Sequence, residues 1–235
     1  MLRVEIKNTR AIFEIVGKGE ETRRVICEAA MRSISLEGFD ALTIGTLAKQ
    51  VGMSKSGLFA HFRAKDELLA EVLRYASARF IDVVVAPALM RPRGEARVRA
   101  LIELWLDWRE RADIPGGCIF LIASHEFDDR PGPLRDQILQ LQSDWIETLT
   151  TAVCIAQRER HFSSQLDPDQ LVFEIYALMM GFHFYQRLLV DPNAKRRVQN
   201  AVDGLLERWK SETVDDLLSS PSQLMRRTAL SRRKN

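Results

Sequence analysis

Between Leu171 and Leu189 the large apolar residues recur in steps of 4, 3, 4, 3 and 4: Leu171, Ile175, Leu178, Phe182, Tyr185 and Leu189. That spacing puts them on one side of an α-helix. Val172, Phe173, Tyr176, Met179, Met180 and Phe184 fill the rest of the circumference, so this helix is apolar nearly all round. Such a helix must be covered on every side. One face can pack on its own domain; the other needs a partner. A second long stretch, Leu134, Ile138, Leu141, Trp145, Leu149 and Val153, repeats in steps of 4, 3, 4, 4 and 4. No stretch shows sustained two-residue alternation, so the chain is predicted to be all-α, essentially without sheet.

The same periodicity lays out the remaining elements. Val25, Ile26, Ala29, Ala30 and Ile34 predict a helix over 21–37, with acidic Glu20 and Glu21 at its start and Gly38 at its end. Thr43 caps a short helix to Val51, Gly52 breaks it, and Ser54 caps a third helix to Phe62. Asp66 and Glu67 open a fourth, ended by Pro87 and the Arg91-Pro92-Arg93-Gly94 segment. Further helices are predicted over 95–112, 118–127, 134–159, 168–190 and 194–212. The expected organisation is an extension (1–19), a small three-helix domain (20–66), a larger helical domain (67–213) and a polar basic tail (214–235).

Composition narrows the function classes. Net charge is only +2, but from Ala41 to Lys65 the charges are Lys49, Lys55, Arg63 and Lys65, with no acid among them. A local basic patch of that kind meets phosphates, although a solvated face would look the same. Cys27, Cys118 and Cys154 form no CxxC or Cys/His cluster, so neither a disulfide framework nor a structural zinc is expected. No metal or cofactor is predicted, and the location is expected to be cytoplasmic. No apolar run has the length of a membrane span. The GxSxG, HExxH, GxGxxG and P-loop patterns are absent, so the chain is not expected to be an enzyme.

The informative window is LTIGTLAKQVGMSKSGLFAHFRAKDELL, Leu42–Leu69. Two short helices meet across a tight turn in which Gly52 supplies a positive φ. Small Ala48 lets the helices approach, and Val51, Met53 and Leu58 plug their junction. Ser54 caps the second helix and points its first residues outward, as a recognition helix does.

From Thr22 to Leu69 the chain resembles the DNA-binding domain of the TetR family, the tetracycline-repressor-like regulators. The resemblance rests on the Ala29-Ala30 pair, Gly38-Phe39 ahead of the Thr43 cap, the Leu47-Ala48…Val51-Gly52-Met53-Ser54-Lys55 turn, and Leu58-Phe59…His61-Phe62…Lys65-Asp66-Glu67-Leu68-Leu69. It implies an N-terminal three-helix helix-turn-helix domain and a larger helical ligand-binding and dimerisation domain. Thr43 and Lys65 would meet phosphates; Lys55, Ser56 and Gly57 would face base edges; Phe59 and His61 would lie against the DNA backbone. Phe59 stands where Tyr is commoner, so it offers packing only, on a thymine methyl for example. Gly45 replaces a larger side chain, so that helix should read fewer groups. Gly57 fits either a close backbone approach to DNA or simple tolerance.

The resemblance further implies a homodimer formed by the two long helices, here Leu141, Trp145, Leu149, Ile175, Phe182 and Tyr185, on a palindromic duplex operator. A small-molecule effector would sit among Trp105, Trp108, Phe120, His125, Tyr176, Met179 and His183, and its aromatic and Met lining favours an apolar ligand. Core packing is the simpler account of each of these residues taken singly. Two alternatives stay open: a ligand-independent, architectural member of the family, and a thiol sensor acting through Cys118, which follows Gly116-Gly117 at a helix N-terminus.

Overall fold

The computed structural model describes residues 18–108, 110–111 and 114–210. The predicted extension and basic tail therefore fall largely outside the described residues, as do the last predicted residues of two helices. The described chain is helical, in the order α1 (Lys18–Glu37), α2 (Ile44–Gln50), α3 (Lys55–His61), α4 (Lys65–Phe80), α5 (Ala86–Leu89), α6 (Glu95–Trp108), α7 (Ile119–Phe127), α8 (Pro133–Arg158), α9 (Pro168–Arg187) and α10 (Ala194–Trp209). Extended pairing among the described residues is limited to one isolated antiparallel bridge, Phe162 with Lys210. None of these helices is long and apolar enough to cross a membrane.

Pro87 does not stop the fourth helix. Between α4 and α5 the chain widens into a π-turn at Ile81–Val85, where the Ala86 N–H reaches back to the Ile81 carbonyl. A proline ring clashes with the carbonyl four residues earlier in a regular helix, and a π-bulge relieves that crowding. The helical course thus continues to Leu89, two residues past the proline.

The chain forms two compact units. The first runs to Pro87 and takes in Glu103–Trp145; the second comprises Ala88–Ile102 and Ile146 onward. This differs from a boundary at residue 66. The reason is visible in the packing: both α4 and α7 lie against α1. Ile26, Ala30 and Ile34 of α1 are buried with Leu47 and Ala48 of α2, Leu58 and Phe62 after it, and Leu68, Leu69 and Val72 of α4. Gly116 comes so close to α1 that a Cβ there would overlap the Ser35 carbonyl. Its N–H donates to Ser35 Oγ at 3.2 Å. In the second unit α9 and α10 pack together, burying Leu171, Ile175, Met179 and Phe182 alongside Val198, Val202, Leu205 and Trp209.

Candidate nucleic-acid interface

The short helices α2 and α3 owe their starts to two hydroxyls. A helix begins with N–H groups that lack partners, and a Ser or Thr at the cap satisfies one of them. Thr43 is extended (φ −117°, ψ 148°) and its Oγ1 accepts from the Thr46 N–H at 3.1 Å. Ser54 likewise accepts from the Gly57 N–H at 3.0 Å. Between them Gly52 has φ +69°, the left-handed conformation that the turn requires. Leu47, Ala48 and Leu58 close the inner side of the motif. The spacing of caps, turn and plugs in the sequence therefore yields the predicted helix-turn-helix.

The opposite side of the motif faces solvent. Thr43, Lys55 and Ser56 are exposed, and Phe59 keeps 45% of its surface open. Phe59 thus leaves a large part of its apolar ring open to solvent, whereas Phe62 is fully buried. Lys49 and Arg63 are also exposed, so this face carries cations without a nearby acid in sequence. His61 and Lys65 are half-buried.

Two glycines acquire a geometric meaning. A Cβ on Gly45 would stand 2.9 Å from Lys55 Cε and 3.3 Å from its Nζ, with Thr43 Oγ1 at 3.9 Å. The bare Gly45 thus leaves room for the end of the Lys55 side chain. A Cβ on Gly57 would meet the capping Ser54 Oγ at 3.2 Å. Glycine at 57 therefore leaves room for the cap hydroxyl that it binds.

Several supporting residues escaped the sequence analysis because their partners are distant in the chain. Arg23 of α1 donates to the His61 carbonyl at 2.6 Å, at the end of the recognition helix, and its guanidinium lies 4.4 Å from the centre of the Phe62 ring. Lys65 Nζ donates to the Asp40 carbonyl at 3.2 Å. Arg130 binds the Asp40 carboxylate through both Nη atoms, at 2.8 and 2.7 Å. That guanidinium holds the Asp40 carboxyl below its ordinary pKa, and Asp40 in turn raises that of Arg130.

The seven predicted pocket residues divide between the two units. In the first unit Trp105 and Trp108 are buried, Phe120 is half-buried and His125 is exposed on α7. Phe80 is the hub of an aromatic cluster there, in edge contact with Trp108 (5.6 Å), Phe120 (5.7 Å) and Trp145 (5.0 Å). The Nε1 donors of Trp108 and Trp145 are buried and make no hydrogen bond among the described residues. Gln142 of α8 spans to α7, donating to the Phe120 carbonyl and to Ser124 Oγ. In the second unit Met179 is buried, and Tyr176 and His183 are half-buried. A groove of about 400 Å³ in this unit lies between α9 and α10 instead, lined by Phe173, Ala177, Leu178, Gly204 and Leu205.

Of the six residues expected at a dimer interface, Trp145, Leu149, Ile175 and Phe182 are buried within the chain, Leu141 is half-buried and only Tyr185 is exposed. On α9 a different stripe stays open: Phe173, Ala177, Met180 and Phe184, with Phe173 at 68% and Phe184 at 48% exposure. The helix is apolar on both sides, and periodicity alone does not say which side faces its own core. Cys118 caps α7 at 1% exposure, without the access that a sensor thiol needs. Burial raises the Cys27 thiol to a pKa of about 12.

Comparison with known proteins agrees with this construction. The family model for bacterial regulatory proteins of the tetR family matches residues 26–72. The model for the tetracyclin repressor-like C-terminal domain matches residues 94–202. The HTH-type transcriptional regulator TtgR of Pseudomonas putida is 26% identical over 213 residues, covering 87% of this chain and 95% of TtgR. A TetR transcriptional regulator of Chloroflexus aurantiacus superimposes with a TM-score of 0.73 at 24% identity, over 81% of this chain and 94% of that one. AibR, solved in complex with isovaleryl coenzyme A and operator DNA, has a TM-score of 0.63 at 20% identity, over 79% of this chain and 98% of its own. Matched in its helix-turn-helix and again in its C-terminal domain, the chain belongs to the TetR family of DNA-binding transcriptional regulators.

Proposed function

We propose that this protein is a repressor that binds a palindromic operator as a homodimer and releases it when a small, largely apolar ligand enters each protomer. The observation that carries the DNA-binding half is the solvent-facing row of Thr43, Lys55, Ser56 and Phe59 on two capped helices. In this reading Thr43 and Lys65 hold phosphates, Lys55, Ser56 and Gly57 meet base edges, Phe59 packs on a thymine methyl and His61 lies against the backbone. The open α9 stripe of Phe173, Ala177, Met180 and Phe184 supports a homodimer, because an apolar row of that length is covered by an identical row across a two-fold axis. Two recognition helices would then address half-sites about one DNA turn apart, roughly 34–36 Å.

The aromatic cluster around Phe80 supports a ligand response. A buried donor without an acceptor costs about 1–3 kcal/mol, and Trp108 and Trp145 bring to one cluster two donors that find no acceptor among the described residues. An apolar molecule carrying a hydrogen-bond acceptor would relieve that cost while filling an aromatic surrounding. AibR, whose structure holds both an acyl coenzyme A and operator DNA, shows a related fold serving both partners. Release requires the ligand to favour the DNA-incompetent state, with a coupling of about 1–3 kcal/mol.

The test is selection of bound DNA by the purified protein, followed by shift assays on the winning sequence across salt and across a library of neutral aromatic compounds. A palindromic winner released by a member of the library is the expected result. Weak, sequence-blind and salt-sensitive binding would refute the operator reading. A specific palindrome unaffected by every compound would refute the ligand half alone.

A further inference from the structure

The loop between α1 and α2 is held from outside the DNA-binding motif. Both carboxylate oxygens of Glu126, in the last turn of α7, lie 3.0 Å from the Phe39 N–H, and Oε2 also accepts from the Asp40 N–H at 3.2 Å. A side chain on Gly38 would collide with that carboxylate, and Gly38 has φ +88°. The Phe39 ring, 1% exposed, packs edge-on against Phe127, the next residue of α7, at 5.4 Å. Just beyond α7, Arg130 binds the Asp40 side chain at 2.8 and 2.7 Å.

Asp40 is thus gripped at three points by three side chains, two from the end of α7 and its following turn and one from α4. Its N–H goes to Glu126, its carboxylate to Arg130 and its carbonyl to Lys65 Nζ at 3.2 Å. Three residues further on stands Thr43, the cap of α2. The same short loop therefore sets both the start of α2 and the resting place of the Lys65 ammonium. Phe39 and Leu42 anchor the loop by their buried side chains, but the exposed Asp40 between them would otherwise sample several backbone conformations, and only some would present both groups to one DNA backbone. Affinity falls by the fraction of molecules in the competent arrangement.

The structure assigns Glu126, with Arg130 in support, as a positioning residue for DNA binding: it acts through the backbone of Phe39 and Asp40 and touches no DNA itself. Both residues lie in the stretch matched by the C-terminal family model, not in the DNA-binding match. This makes the end of α7, which packs in the same unit as α1 to α4, the place that sets the competence of the DNA-binding motif. The inference rests on the reading of Thr43 and Lys65 as phosphate contacts.

The experiment uses the full-length protein and its selected DNA. Glu126→Gln keeps the shape but turns one acceptor oxygen into an amide that cannot accept. Operator binding is expected to weaken roughly tenfold or more, the scale of lost hydrogen bonds to a charged group. The dependence of log K on log salt should become shallower by about 1 as Lys65 loses its seat. Hydrogen exchange at the Phe39 and Asp40 amides should quicken, while amides in the middle of α9 keep their protection. Arg130→Ala, on the exposed side of the loop, should give the same pattern at roughly two- to fivefold.

An unchanged affinity in Glu126→Gln despite faster exchange at Phe39 and Asp40 would overturn the positioning role. Loss of protection spread over all helices would overturn it too, because Glu126 would then be a general stability residue. Lys65→Ala separates this inference from the reading beneath it. If Lys65→Ala leaves the salt slope unchanged, the phosphate reading fails, whatever Glu126→Gln does.

Discussion

Arg23 offers the sharpest test of how the recognition helix is held. Its guanidinium donates to the His61 carbonyl at 2.6 Å and lies over the Phe62 ring at 4.4 Å, with the Glu71 carboxylate at 3.7 Å. Arg23→Met keeps much of the aliphatic stem and removes all three interactions. The side chain is 35% exposed, so the lower ends of the usual ranges apply. A charge-assisted hydrogen bond at that end contributes about 1.5 kcal/mol. An exposed cation–π contact adds about 0.5 kcal/mol. The ion pair, longer than hydrogen-bonding distance and open to water, adds close to nothing. The sum, about 2 kcal/mol, corresponds to a fall in Tm of about 4–8 °C for a chain of this size. Thermal melting by circular dichroism measures it. Arg23→Lys separates the parts, since an ammonium cannot both stack flat on Phe62 and reach the carbonyl; about half the loss should remain. Operator affinity should fall in Arg23→Met with an unchanged salt slope, because no phosphate contact is removed. A Tm within 1 °C of the parent in Arg23→Met would refute the anchoring argument, this being less than about 0.5 kcal/mol.

Three further outcomes are expected. Phe173→Glu combined with Phe184→Glu should convert dimers to folded monomers by light scattering, whereas Phe182→Glu should unfold the chain, because its ring is buried at home; a dimer mass in the double variant would eliminate the α9 stripe as the interface. Gly116→Ala drives a methyl into the Ser35 carbonyl and should destabilise by about 2–4 kcal/mol, combining overpacking with the strained Ser35 hydrogen bond; an unchanged melting curve would contradict the close approach of α1. Gly45→Ala should stabilise α2 by up to about 1 kcal/mol while dislodging the Lys55 ammonium, altering base preference in a repeat selection. That change should vanish in a Lys55→Ala background, and its persistence there would show that Gly45 does not act through Lys55.

The sequence by itself determined the local elements. Helix type followed from a 3.6-residue apolar period; Thr43, Ser54 and Gly52 placed the starts and the turn of the DNA-binding motif within a residue, because capping and positive φ are properties of neighbouring residues. Pro87 misled, since proline disrupts a regular helix but not one widened by a π-turn. What only the tertiary structure decided were relations between segments far apart in the chain. Ile175 and Phe182 on one face of α9 and Phe173 and Phe184 on another are equally apolar, yet the former pack inside and the latter lie open. Arg23 reaching His61, and Glu126 reaching Phe39 across 87 positions, leave no trace in local pattern. Hydrogen bonds of this kind depend on where two helices meet, and periodicity specifies the face of a helix but not which helix it meets.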